Sequence, residues 1–150
     1  MRVVLQRVTR GSVAVDGQIV GEVGPGFVAL VGVTHGDTPE TAALLARKTA
    51  NLRVFDDDNS KMNRSPLDVG GGVLVISQFT LYADTRRGRR PGFTDAALPD
   101  HAAPLVEAYA AALHAEGITH IGQGIFGAMM QVEIHNDGPV TIILDSRDYE

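Results

Sequence analysis

A chain of 150 residues, 44% hydrophobic and 21% charged, has room for one ordinary globular domain with a real core and is too apolar to be disordered. It holds no cysteine, which excludes disulfides and thiolate chemistry and fits a reducing compartment, the cytosol by default. The net charge of −5 argues against broad, nonspecific nucleic-acid binding, and no apolar stretch approaches the ~20 residues of a membrane span. Met1-Arg2-Val3 opens straight into a strand pattern rather than a signal peptide. Residues 2 to 9 alternate loosely, with Val3, Leu5 and Arg7 on one face and Val4, Gln6 and Val8 on the other. Arg7 has two readings. It is a strand end reaching solvent with its stem on the core, or a fixed guanidinium clamping a carbonyl or carboxylate inside a site.

Val13-Ala14-Val15, Asp16-Gly17 and Ile19-Val20 predict a hairpin through a primed turn. Gly24-Pro25-Gly26 predicts a second turn, into the buried strand Phe27 to Val33, so the first third reads as an antiparallel meander. Thr38-Pro39-Glu40 starts a helix with a capping hydroxyl, proline at the first helical position and an acid in the first turn. Ala42, Leu45, Ala46, Thr49 and Leu52 supply its core stripe. Asp56-Asp57-Asp58-Asn59 lacks the spaced acids and distal glutamate of a calcium loop and reads as a solvated turn.

The apolar run Val73 to Ile76, fenced by Gly70-Gly71-Gly72, predicts a buried strand that ends in Ser77-Gln78-Phe79-Thr80-Leu81-Tyr82. If the strand stays regular, Ser77 and Thr80 face opposite ways. A site here then needs either a bulge or backbone N–H groups, which an unpaired strand end offers to a developing oxyanion. The plain alternative is a strand turning polar as it leaves the core. Thr80 is a nucleophile only with a neighbouring base, and none is visible.

Ala83 to Leu98 is a loop of about sixteen residues, long enough to suggest function. Its Arg86, Arg87, Arg89 and Arg90 read either as solvated surface or, beside Tyr82 and Phe93, as a phosphate-binding and base-stacking patch. A second helix spans about Asp100 to Glu116 with Leu105, Tyr109, Ala112 and Leu113 buried and Gly117 as its stop. The five histidines are scattered singly, without the paired spacing of metal ligands. Two strands follow, Gln131 to Ile134 and Val140 to Leu144, and Asn136-Asp137-Gly138-Pro139 between them reads as a hairpin tip. Pro139 is less ordinary there, because it removes a ladder donor at the start of the return strand. Free glycine and proline carbonyls at such a tip would present acceptors outward.

Ser77 to Tyr82, Asn51 to Phe55, Gly88-Arg89-Arg90-Pro91, Phe93 to Ala96, Phe126-Gly127-Ala128 and Asn136 to Thr141 are similar to stretches of the D-aminoacyl-tRNA deacylases. The resemblance runs over nearly the whole chain. It implies a single compact α/β domain, largely antiparallel and barrel-like, with two main helices, that hydrolyses the ester of D-aminoacyl-tRNA and of glycyl-tRNA. It implies a homodimer with active sites at the interface, where a cis Gly138-Pro139 tip enters beside the partner's Ser77, Gln78, Phe79 and Thr80. Arg7 then helps to hold the tip, which rejects L-aminoacyl groups, and Phe126 and Met129 line an adenosine pocket unless they are ordinary core. The amides of Phe79 and Thr80 polarise the carbonyl, the tRNA 2′-hydroxyl activates the attack, and neither cofactor nor metal is required. A threonine-nucleophile hydrolase using Thr80 and a noncatalytic tRNA-binding module are the alternatives.

Overall fold

The computed structural model describes residues 1–150. Its spine is β1 (Arg2–Val15), a single strand of 14 residues. The Asp16-Gly17 turn, with both φ angles positive, returns the chain as a primed hairpin into β2 (Gln18–Val23), which pairs with Gly11 to Val15. β3 (Gly26–Gly32) then pairs antiparallel with Arg2 to Val8. The expected meander is therefore wrong. β2 and β3 lie end to end along one edge of β1, and Gly24-Pro25 kinks a continuing strand instead of reversing it. Gly26 permits the kink at φ +149°, since a Cβ there would meet the Gly72 carbonyl oxygen at 1.9 Å.

Between β3 and its parallel neighbour β6 (Gly72–Ser77) run α1 (Pro39–Ala50), the small hairpin β4 (Phe55–Asp56) and β5 (Met62–Arg64), and the single turn α2 (Pro66–Val69). Thr38 caps α1 by accepting from the Thr41 amide at 3.3 Å, and Leu52 falls just beyond the helix end. Asp57 closes the turn at the tip of the hairpin, accepting from the Asn59 and Lys61 amides. α3 (Pro99–Ala115) leads to β7 (Ile121–Gln123), parallel to β6 and too short to be read from periodicity. His120 Nε2 donates to the Glu22 carbonyl at 2.9 Å, holding the start of β7 against β2, so the sheet nearly closes on itself.

The alternation of β3 and β6 divides the core in two. Phe27, Ala29, Val31, Val73 and Val75 face α1 and α3 with Met1, Val3 and Leu5, while Val28, Leu74 and Ile76 fill the barrel with Val8, Val13 and Val23. Tyr109 and Thr49 join the helices. Thr49 donates to the Leu45 carbonyl, so the Tyr109 hydroxyl donates to Thr49, each at 2.8 Å.

The last third differs most from expectation. Residues 131 to 145 form one strand, β8 (Gln131–Asp145), that pairs antiparallel with β1 before and after Gly138-Pro139. Both flanks run the same way along β1, so no hairpin exists. The register passes from Gln6 opposite Thr141 to Val8 opposite Asn136, leaving Arg7 to face a four-residue excursion, Asp137 to Val140. The Gly138–Pro139 peptide is cis.

Candidate active site

At the end of β6 the chain leaves the sheet. Gln78 donates its amide to the Val31 carbonyl at 2.7 Å, and Phe79–Tyr82 then forms a 3-10 turn. The regular alternation thus stops at Ser77, and neither a strand nor a bulge carries Thr80. As the first residues of the turn, Phe79 and Thr80 have amides with no acceptor within the chain. Gln78 Nε2 donates to Thr80 Oγ1, the only bond of that hydroxyl, so no base stands beside it.

Gln78 and Phe79 border a cleft of about 600 Å³ between the end of the sheet and the start of α3, and Thr80 follows just outside its lining. Val31, Val33, Ile76, Ala102 and Val106 form its floor, and Ser77, Gln78 and Phe79 form one wall. Phe126 and Met129 line it as rim rather than as ordinary core, Met129 being 91% exposed. Phe93 stands edge-on to Phe79 with ring centroids 5.0 Å apart. Exposed apolar side chains gathered at one mouth mark a binding surface. Phe126 and Ser77 also border a smaller cavity of about 270 Å³ reaching Glu107 and Gln123.

The long loop is tied down. Asp84 and Gly92 pair, Thr34 pairs with Ala96, and His35 Nε2 donates to the Thr94 carbonyl at 2.8 Å. Phe93, Ala96, Ala97 and Leu98 are thereby fixed on the cleft. The arginines project from the loop's far end. Arg86 is committed to Asp84 through two 2.8 Å bonds, which hold that carboxyl well below its ordinary range, whereas Arg87, Arg89 and Arg90 have no ion-pair partner in the chain.

Arg7 is not a solvent-reaching strand end. It is 7% exposed, donates from Nη1 to the Val54 carbonyl at 2.6 Å and from Nε to the Asp137 carbonyl at 3.1 Å, and lies 3.6 Å from Asp56. It therefore grips the base of the excursion. Asn136, which sequence reasoning passed over, closes the same excursion by donating to the carbonyls of Arg7 and Val140.

The structure does not bring the two groups of candidates together within one subunit. Ser77 is level with Val31 and Val3, whereas the excursion faces Arg7, four residues along β1 and on its opposite edge. At ~3.3 Å per residue and ~4.8 Å per strand, the separation over the sheet is on the order of 20 Å.

A model of the family described as D-Tyr-tRNA(Tyr) deacylase matches residues 4–145. The chain belongs to that deacylase family. It is 62% identical to the D-aminoacyl-tRNA deacylase of Roseiflexus castenholzii over 97% of this chain and 92% of the relative. It is 58% identical to that of Thermus aquaticus over 99% and 97%. Among solved structures, one titled c-Myc DNA Unwinding Element Binding Protein superposes with a TM-score of 0.90 at 39% identity, covering 97% of this chain and 98% of the other. A probable eukaryotic D-amino acid tRNA deacylase shares the fold, with a TM-score of 0.81 at 17% identity over 95% and 97%. As a member of the deacylase family the chain is a hydrolase, and no helix in it is long and apolar enough to cross a membrane.

Proposed function

We propose that this family member hydrolyses the ester joining a D-amino acid, or glycine, to the terminal adenosine of tRNA, at a site completed by a second copy of the chain. The observation that carries the reading is the pair of successive unpaired amides, Phe79 and Thr80, the first on the wall of the apolar cleft and the second next to it in the chain. Two N–H groups donated to one oxygen bind the oxyanion more strongly than the ground-state carbonyl, which lowers the barrier without a protein nucleophile. Water attacks the carbonyl carbon and the negative charge moves to the oxygen facing these amides. Collapse then breaks the ester bond, the ribose oxygen takes a proton, and the amino acid leaves as its carboxylate. The tRNA 2′-hydroxyl activates the water. Phe126 and Met129 hold the adenosine, and Arg87, Arg89 and Arg90 contact phosphates while Arg86 shapes their loop.

A partner's excursion supplies selectivity. Since Gly138-Pro139 lies on the order of 20 Å from the same chain's Ser77, it reaches such a site only from another subunit. β8 has one neighbouring strand, and Ile143 on it is 64% exposed, so this edge offers a surface for a second copy. A rigid backbone wall there excludes an L side chain and ignores the identity of a D side chain pointing away. Glycine has no side chain to exclude.

The test is release of amino acid from matched D- and L-tyrosyl-tRNA and from glycyl-tRNA by metal-free protein. Loss of the D-form and glycine with the L-form spared supports the reading. Binding of tRNA with no release of any of the three replaces it with a noncatalytic module.

A further inference from the structure

The Phe79–Tyr82 turn is fixed at both ends, and the second anchor comes from the far end of the sequence. Its start is held by the Gln78 amide on Val31. Near its end, the Leu81 carbonyl accepts from Arg2 Nη1 at 2.7 Å. The guanidinium is itself fixed: Nε and Nη2 both donate to Asp145 Oδ2, at 3.0 and 2.9 Å, and its carbon lies 5.0 Å from the centre of the Tyr82 ring. Asp145 is held in turn by Arg147, through bonds of 3.0 and 2.7 Å. Arg2 is not among the residues that line the cleft. It meets the turn at the Leu81 carbonyl and the Tyr82 ring, and not at Phe79 or Thr80.

Resting on the oxyanion reading above, we infer that Arg2, oriented by Asp145, is a positioning residue that sets the direction of the Phe79 and Thr80 amides. Gln78, at φ −145° and ψ 80°, lies outside the turn's own geometry, so a turn held only at its start pivots about it. A charge-assisted bond to Leu81 removes that freedom. The planar fork of arginine reaches a carbonyl and a carboxylate at once, whereas a lysine ammonium offers no fixed plane. Oxyanion donors depend on such placement, because an error near 1 Å costs on the order of 100-fold in rate.

The experiment compares Arg2→Met, Arg2→Lys and Asp145→Asn with the unaltered protein, using release from D-tyrosyl-tRNA and amide exchange at Leu81 and Ala83. Arg2→Met is expected to lower kcat by about 10- to 100-fold with KM nearly unchanged, and Arg2→Lys to recover part of it. Asp145→Asn should fall in the same direction, and adding it to Arg2→Met should cost little more. Exchange at both amides should quicken, while the ratio of D- to L-release stays constant. A folded Arg2→Met protein with unaltered kcat and exchange overturns the inference. If that variant does not fold, the same result from Arg2→Lys overturns it. If the unaltered protein releases nothing, the deacylase reading has failed, and exchange alone then decides whether Arg2 holds the turn.

Discussion

Asn136 is tied to Val140 across the excursion in β8: its side-chain nitrogen donates to the Val140 carbonyl at 3.1 Å and, in the same position, to the Arg7 carbonyl at 2.9 Å. One amide thus closes the loop and fastens it to β1. Asn136→Asp removes the donor and sets a charge against two carbonyls, at a cost of about 1–3 kcal/mol. The ratio of D- to L-tyrosyl-tRNA release is expected to fall by about tenfold, with release of the D-form largely kept. An unchanged ratio would detach Asn136 from selectivity.

Gly138 tolerates no side chain. Its φ is +125°, and a Cβ would lie 2.8 Å from Val140 Cγ2 and 3.2 Å from Arg7 Nη2. Gly138→Ala should cost roughly 1–3 kcal/mol in a denaturant titration and displace the tip. Selectivity is expected to suffer with it, measured on the same pair of charged tRNAs.

Thr80→Ala separates backbone from side-chain chemistry. The hydroxyl only accepts from Gln78, and the backbone amide survives the change. Activity should stay within about threefold, since the loss is one exposed neutral bond. A collapse in kcat, with a covalent acyl adduct on the unaltered protein seen by mass spectrometry, would restore the nucleophile mechanism.

Much of this architecture was legible in the residues, and the failures share a cause. Capping at Thr38, the Asp16-Gly17 turn and the stripe through Leu105, Tyr109 and Leu113 are local signals, and the structure bears each of them out. The kink at Gly24-Pro25 and the excursion at Gly138-Pro139 read as chain reversals because turn chemistry reports a break in the ladder, not the direction taken after it. Only pairing with β1 reveals that both strands continue. Ser77 and Phe79 stand out in the sequence as candidates at the end of an apolar run, but the 3-10 turn that replaces the strand depends on Arg2 and Val31, remote in sequence. Arg7 presented a related difficulty: its face was read correctly, yet its burial comes from Val54 and Asp137.

Tyr109→Phe provides a stability control. The fully buried hydroxyl has Thr49 as its partner, and burial pushes the phenol's pKa well above its ordinary value. Removing the hydroxyl should cost about 1–2 kcal/mol. The melting temperature then falls by roughly 2–6 °C, by calorimetry, with deacylation unchanged.

Acid stability should depend on Asp145. The Arg147 side chain, then the Arg147 backbone amide and Arg2, hold its carboxyl well below the ordinary range against the opposing effect of burial. A folded-state pKa below the unfolded one means stability that is full above the unfolded value, about 3.9, and is lost as the pH falls through the folded one. Asp145→Asn should therefore flatten the acid limb of a pH–stability curve below about pH 4, while lowering stability near neutrality.

Because β8 is bonded to β1 on both sides of Gly138-Pro139, the excursion has two legs and no hinge. In kinetic terms it arrives at any partner with its shape already set. Under the proposed function, discrimination between mirror-image esters takes place at encounter, with no closing phase after binding, and a wrong substrate is turned away before it can occupy the enzyme's time.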